Sequence, residues 1–147
     1  MDNEEKHWEE ITLLANQLFD RGDYEKALLD YKRALKLVEK LNEDVQNCLR
    51  LKIPFMQMYI ISCNNLAYTY EELGQLDKAT GMFKRAVYYL LHLQEEEHLN
   101  KNELYTAQRR AVLTYTDFID KNNIQKQEKM QLLEQLKLEA SKTESIK

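Results

Sequence analysis

One stretch of the chain occurs twice, and this internal repeat limits the folds that the chain can adopt. Residues 22–35 read Gly-Asp-Tyr-Glu-Lys-Ala-x3-Tyr-Lys-Arg-Ala-Leu, and residues 74–87 read Gly-Gln-Leu-Asp-Lys-Ala-x3-Phe-Lys-Arg-Ala-Val. A glycine can end one helix, and the small, aromatic and small residues that follow at spacings of four and three lie on one face of the next helix. Ala15 and Ala67, each placed seven residues before its glycine, extend the match backwards. The repeat therefore predicts two copies of a helix-turn-helix unit.

At these residues the chain resembles the tetratricopeptide repeat (TPR) family. The resemblance implies an all-α fold, an antiparallel helix-pair solenoid of about six helices, whose usual work is to bind other proteins. The expected organisation is one TPR-like domain over residues 1–140, followed by a tail at 141–147. Within the domain we expect repeat 1 at about 3–48, repeat 2 at about 54–93 and a degenerate pair at about 103–140, which caps the end of the solenoid.

The composition indicates a helical protein with mixed surface charge. The 147 residues include only three Gly and one Pro, as expected of an almost wholly helical chain. Lys and Arg number 21 against 25 Asp and Glu, and the resulting net charge of -4 disfavours a nucleic-acid partner. The first residues lack the basic and apolar regions of a secretory signal, and no apolar run approaches the roughly 20 residues that cross a bilayer. Two cysteines are too few for a disulfide framework, so we expect a cytoplasmic protein that does not bind membranes.

The spacing of apolar residues predicts where the helices lie. The first helix should bury the stripe Trp8, Ile11, Leu14, Ala15 and Leu18, and the second should begin at 21–23. The first helix is expected at about Asn3–Asp20. The later helices are expected at Ile53 or Pro54 to Leu73 for the third, Asp77–Leu93 for the fourth, Glu103 to 120–123 for the fifth and Gln125–Ala140 for the sixth.

The two copies of the repeat lie 52 residues apart, from Ala27 to Ala79, whereas TPR repeats recur about every 34 residues. The apolar stripe that begins at Ala27 keeps helical spacing through Cys48, so we expect the surplus of about 18 residues to lengthen the second and third helices by about nine residues each. The two helices would then project as an antiparallel hairpin, and the third would begin near Pro54, because proline is tolerated in the first helical turn. In an alternative, the break falls at 42–44 and Pro54 kinks one very long helix.

No group of residues predicts an enzyme, a cofactor or a metal site. His7 and His92 are isolated, and the consecutive residues 95–98, Glu-Glu-Glu-His, point around a helix or loop rather than at one ion. The three glycines are scattered and form no phosphate-binding loop. Cys48 and Cys63 lie on apolar stripes, where buried and unreactive thiols are expected. We therefore expect a protein that is not an enzyme and needs no cofactor.

The TPR resemblance implies that the first helix of each pair lines a concave groove. Residues beside the buried stripe of these helices are therefore the candidates for contact with a partner protein or peptide. They are Thr12, Asn16, Phe19 and Asp20 on the first helix, Ile61, Asn64, Asn65, Tyr68 and Glu72 on the third, and Tyr105, Arg109, Val112 and Thr116 on the fifth.

Two asparagines of this set match residues of the chaperone-binding adaptors in the family. Those adaptors hold the C-terminal carboxylate of a peptide with two asparagines, at the positions of Asn16 and Asn65, since an amide NH2 can donate to a carboxylate. The lysine that the adaptors carry one turn before the first asparagine is Thr12 here, and their further cations could correspond to Arg109 or Arg110. The two asparagines are therefore either part of a carboxylate clamp or ordinary polar residues of the groove.

The predicted function is that of an adaptor or chaperone-like module, which binds a peptide or helix of a partner protein in its concave groove. The alternative is a self-associating structural or regulatory subunit, which would form a homodimer through the hairpin or an end face.

Overall fold

The structure is a computed structural model that describes residues 3–122 and 131–140. All regular structure in these residues is helical, which confirms the all-α class. The helices are α1 (Asn3–Asp20), α2 (Tyr24–Leu41), α3 (Val45–Leu51), α4 (Phe55–Glu72), α5 (Leu76–His92) and α6 (Lys101–Lys121), with a 3-10 turn at Leu93–Glu95 and a further helical segment at 131–140. The remainder of the predicted sixth helix and the predicted tail at 141–147 lie outside the described residues.

The chain divides into two compact units, Met1–Met82 (unit 1) and Phe83–Lys147 (unit 2), with the boundary inside α5. Each unit is described by itself. The arrangement of all helix pairs in one domain over residues 1–140 stays a prediction.

Both glycines of the repeat form the same helix-ending turn in unit 1. Gly22 has φ +80° and Gly74 has φ +75°, a left-handed conformation that glycine adopts without the steric cost of a Cβ atom. The amide of Asp23 donates to the carbonyl of Leu18 at 2.9 Å, and the amide of Gln75 makes the matching bond across the second turn, also at 2.9 Å. These are the hydrogen bonds of a Schellman motif, which satisfies the last carbonyls of a helix. The sequence repeat therefore corresponds to a repeat of backbone geometry.

The small residues of the repeat lie at the centre of unit 1. Ala15, Ala27, Ala34, Ala67 and Ala79 are all buried. Helix α2 packs against both α1 and α4. Because alanine has no side chain beyond Cβ, its positions let neighbouring helix backbones approach closely. The predicted core of the repeat is confirmed at these positions.

A hydrogen bond between buried side chains also joins α1 to α4. The Trp8 indole Nε1 donates to the Ser62 Oγ at 2.8 Å. The prediction that Leu14 is buried beside Trp8 is wrong, because Leu14 is 57% exposed and its neighbour Leu13 is 55% exposed. Both leucines lie on the face of α1 that neither α2 nor α4 covers.

The prediction that the second and third helices are lengthened is wrong. Helices α2 and α4 have 18 residues each, the same length as α1. Helix α2 ends at Leu41, where the Asn42 side chain donates to the carbonyl of Val38 at 2.9 Å. Asp44 then starts α3 by accepting from the amide of Asn47 at 3.0 Å. The polar residues at 42–44 therefore cap two helices, and the surplus residues form a separate short helix instead of a hairpin.

The alternative prediction placed this break correctly, but its single long helix kinked at Pro54 is also wrong. Lys52 ends α3 in the left-handed conformation, with φ 59°, and Pro54 is the cap residue before Phe55, the first residue of α4. Proline suits this place because it has no N–H to leave unpaired at a helix start. The predicted start of the third helix near Pro54 is confirmed.

In unit 2, α6 packs against the 3-10 turn that follows α5. The rings of Phe83 and Phe118 lie 4.9 Å apart between their centroids, and Leu132 of the helical segment 131–140 is buried. The small and aromatic positions of the second repeat copy, Phe83 and Ala86, are buried here as predicted.

Candidate partner-binding groove

Unit 1 contains an open pocket of about 450 Å3 between α1, α2 and α4. For convenience we call it the α1–α4 groove. Three aromatic side chains, two amides and three carboxylates line it. The lining residues are Asn16, Phe19, Asp20, Tyr31, Asn65, Tyr68, Glu71 and Glu72.

The amide of Asn16 is held in one orientation by a buried tyrosine. The Tyr31 hydroxyl of α2 donates to Asn16 Oδ1 on α1. A tyrosine phenol is protonated at neutral pH, and burial, with a smaller contribution from the negative charge of Asp20, raises the pKa of Tyr31 further, to about 12. Since Oδ1 accepts this proton, the Asn16 NH2 is left as the donating end of the amide. Asn16 can therefore offer its NH2 group to the groove as a hydrogen-bond donor.

Helix α4 contributes four polar side chains to the groove, Asn65, Tyr68, Glu71 and Glu72, and three of them share one face of the helix. Asn65, Tyr68 and Glu72 follow each other at spacings of three and four, so they lie along one stripe of the helix. Tyr68 is 43% exposed. Thr69, beside this stripe, is buried and donates to the carbonyl of Asn65 at 2.7 Å. The stripe therefore presents an amide, a ring and a carboxylate in succession along the groove.

The charge of the groove is negative. Asp20, Glu71 and Glu72 line it, and among its described lining residues there is no Lys, Arg or His. Asp20 and Glu72 are the last residues of α1 and α4. The carboxylates therefore lie where the two helices also carry the negative ends of their dipoles.

Most groove residues predicted on the first and third helices lie together in this pocket. Asn16, Phe19, Asp20, Asn65, Tyr68 and Glu72 all line it. Thr12 is only 7% exposed, and its Oγ1 has no hydrogen-bond partner in the part of the chain that the structure describes. Ile61 and Asn64 are at least partly exposed but do not line the pocket.

Sequence reasoning missed two lining residues, Tyr31 and Glu71. Tyr31 was assigned to the core alone, because it occupies the aromatic position of the repeat. A signal was nevertheless present, since the first copy has Tyr31 where the second has Phe83. The hydroxyl that distinguishes the two copies is the group that binds Asn16.

The candidates on the fifth predicted helix lie in unit 2, on α6. Tyr105, Arg109 and Val112 line a mainly apolar cavity of about 370 Å3, together with Leu91, Gln94, Gln108, Leu113, Leu136 and Ala140. The Arg109 guanidinium lies 5.9 Å from the centroid of the Tyr105 ring. Thr116 donates to the carbonyl of Leu113 at 3.1 Å. A single groove that includes residues of all three helix pairs stays a prediction.

Within residues 3–122 and 131–140, no three His, Cys, Asp or Glu side chains are grouped so that they could hold a metal ion. The same residues include no helix whose length and apolar content would let it cross a bilayer.

Comparison with known proteins identifies one family. The family described as "Protein of unknown function (DUF2753)" matches residues 6–145, nearly the whole chain. No curated protein and no solved structure matches the sequence.

Proposed function

The chain belongs to the DUF2753 family, and we propose that it is a non-enzymatic protein-interaction module that binds a peptide or helix of a partner protein. The α1–α4 groove is the observation that carries this proposal. It is an open pocket of about 450 Å3, and it is lined by aromatic side chains and by two amides, of which Asn16 is hydrogen-bonded to Tyr31. A module of this kind acts as an adaptor or chaperone-like protein in the cytoplasm and needs no cofactor.

The repeated backbone geometry supports a TPR-like arrangement of helix pairs. Gly22 and Gly74 end α1 and α4 with the same hydrogen bonds, and alanines occupy the matching core positions after each turn. In such an arrangement α1 and α4 are the first helices of successive pairs, which line the binding surface. The groove residues on α1 and α4 have this placement.

The side chains of the groove suit a polypeptide ligand. The Asn16 NH2 can donate to a main-chain carbonyl, and the Asn65 amide can both donate and accept. The Tyr68 ring offers the contact area that dominates many protein interfaces, where truncation of a central aromatic costs about 2 kcal/mol or more of binding. The groove thus combines a few directional hydrogen bonds with one aromatic anchor.

Site-specific photo-crosslinking in the native cell tests this proposal. Benzoylphenylalanine placed at Tyr68 should give a discrete covalent adduct with a partner protein. The matched control is the same amino acid at Leu29, which is exposed on α2 and does not line the groove. Adducts that are absent at Tyr68, or identical at both positions, would move the binding surface away from the groove.

The exposed leucines of α1 favour self-association as the second candidate function. Leu13 and Leu14 are adjacent and both more than half exposed, so they offer apolar surface that a second copy could cover. Analytical ultracentrifugation should show a dimer that is lost on Leu14→Lys if this face pairs two copies. A monomer at all concentrations would exclude this second function and leave groove binding.

A further inference from the structure

We propose that unit 2 contains a separate site for a small amphipathic ligand, an unbranched aliphatic chain that ends in one carboxylate. The site is the cavity of about 370 Å3 that includes Tyr105, Arg109 and Val112, which we call the unit 2 cavity. The chain would lie against the apolar walls, and Arg109 would bind the carboxylate. All the described lining residues belong to unit 2, so the inference is independent of the α1–α4 groove and of the function proposed for it.

One face of α6 supplies five of the nine described residues that line the unit 2 cavity. They occupy positions i, i+3, i+4, i+7 and i+8, the spacing of residues that share one side of a helix. They are Tyr105, Gln108, Arg109, Val112 and Leu113. Leu91 of α5, together with Leu136 and Ala140 of the segment 131–140, adds apolar wall. Tyr105 is 60% exposed and Leu113 is 58% exposed, so a ligand with an apolar chain would remove this surface from water.

The size of the cavity favours a small molecule over a protein segment. Small-molecule sites have volumes of about 300–1,000 Å3 and are mostly apolar, with a few polar groups that orient the ligand. The unit 2 cavity, at about 370 Å3, lies in the lower part of this range. A stable protein interface buries roughly 800 Å2 on each partner, which is more than the walls of so small a cavity provide. A single aliphatic chain is therefore a better match than a helix, whose diameter with side chains is about 10 Å.

Arg109 is the one charged residue among the described residues that line the cavity. The positions one turn away on either side, 105, 106, 112 and 113, hold Tyr, Thr, Val and Leu, so no such neighbour on α6 supplies a carboxylate. In the part of the chain that the structure describes, Arg109 makes no ion pair. The cavity thus has a positive charge that these residues leave uncompensated, and a ligand carboxylate would compensate it.

The Tyr105 ring holds the Arg109 guanidinium beside the apolar surface. The central carbon of the guanidinium lies 5.9 Å from the ring centroid. An arginine can stack on an aromatic ring and donate two hydrogen bonds to a carboxylate with the same guanidinium. The adjacent Gln108 instead directs its NH2 to the carbonyl of Leu90 at 3.1 Å. Recognition of the carboxylate therefore falls to Arg109, next to the surface that would bind the chain.

A series of fatty acids tests the apolar part of the site. Hexanoate, octanoate and decanoate are titrated separately, below their micellar concentrations. Binding is followed by the amide NMR signals of α6 and of the segment 131–140, with the signals of α1 as an internal reference. Burial of each added methylene should tighten binding by up to about four-fold, so the affinity should rise along the series until the cavity is filled.

Matched ligands and variants test the carboxylate part of the site. Octanol has the same chain length as octanoate without its charge, and it should bind about five-fold more weakly. Arg109→Gln should remove this difference by lowering the affinity for octanoate while the affinity for octanol stays unchanged. The matched control is Arg110→Gln, which makes the same charge change at the next residue of α6, exposed and outside the cavity, and should keep the difference. Circular dichroism melting of both variants verifies that they remain folded.

The outcomes separate the two parts of the site. Equal affinities of octanoate and octanol for the wild type, or a difference that survives Arg109→Gln, would overturn the assignment of the carboxylate to Arg109. An affinity that does not change with chain length, or signals of α6 and 131–140 that no fatty acid perturbs, would overturn the cavity as a ligand site. These results leave the α1–α4 groove untouched, since crosslinking at Tyr68 tests it separately.

Discussion

Replacement by alanine should lower the free energy of unfolding at Gly74 and raise it at Gly81. Gly74 has φ +75°, whereas Gly81 lies within α5 and is exposed. A Cβ atom at either position would meet no atom within 4 Å, so backbone conformation alone decides the outcome. The left-handed conformation costs a residue with a Cβ about 1–2 kcal/mol, which the loss of unfolded-chain entropy offsets only in part, so Gly74→Ala should destabilise by about 1 kcal/mol. Gly81→Ala should stabilise by about 0.5–1 kcal/mol, because alanine favours the helix interior.

Urea unfolding followed by circular dichroism measures both changes. The free energy of unfolding should fall for Gly74→Ala and rise for Gly81→Ala, and the melting midpoints should move apart by about 4–6 °C in total. Gly74→Asn is the matched control for the turn, because asparagine tolerates the left-handed conformation better than alanine. Shifts of the same sign for both alanine variants would refute the assignment of the turn at Gly74.

Three further predictions concern the core, the groove and its charge. Ala79→Leu should overpack the buried contact of the repeat and cost about 1–3 kcal/mol, whereas Lys32→Gln on the surface should cost far less, and equal melting midpoints would contradict the repeat core. Tyr31→Phe should cost about 1 kcal/mol near pH 7 through loss of its hydrogen bond. This cost should shrink between pH 10 and 12 in pH-dependent unfolding, because Tyr31 titrates near 10.0 in the unfolded chain and at about 12 when folded, so ionisation favours unfolding of the wild type alone. Glu72→Lys should raise the free energy of unfolding by about 0.3–1 kcal/mol, since a cation suits the end of α4, and a lower value would contradict the electrostatic account of the groove.

The features that depend on local sequence were predictable. The bounds of α1 and the starts of α4 and α5 followed from Gly22, Pro54 and Gly74, because turn residues act on the backbone within a few positions. The buried alanines followed from their spacing in the repeat. Six of the predicted groove residues on α1 and α4 share one pocket, because both helices pack against α2 and a Trp8–Ser62 hydrogen bond joins them.

The features that were missed depend on competition between local signals or on tertiary contact. The apolar spacing from Ala27 to Cys48 continues across the break at 42–44, so periodicity alone could not show that the caps at Asn42 and Asp44 prevail. Burial of Cys48 against the carbonyl of Leu41 explains why the apolar pattern persists in α3, since the Cys48 thiol donates to that carbonyl at 3.2 Å. The exposure of Leu14 was invisible to the sequence, because only the packed helices decide which apolar face is covered.

The measurement that most directly tests groove binding is the affinity of the partner captured at Tyr68, determined by calorimetric titration of purified proteins. Tyr68→Ala should weaken binding by about 2 kcal/mol, roughly 30-fold, and Asn65→Ala by a smaller factor, while the melting midpoints stay nearly unchanged. Leu29→Ala, outside the groove, should leave the affinity unchanged. An affinity that survives the combined change Asn65→Ala and Tyr68→Ala would contradict groove binding.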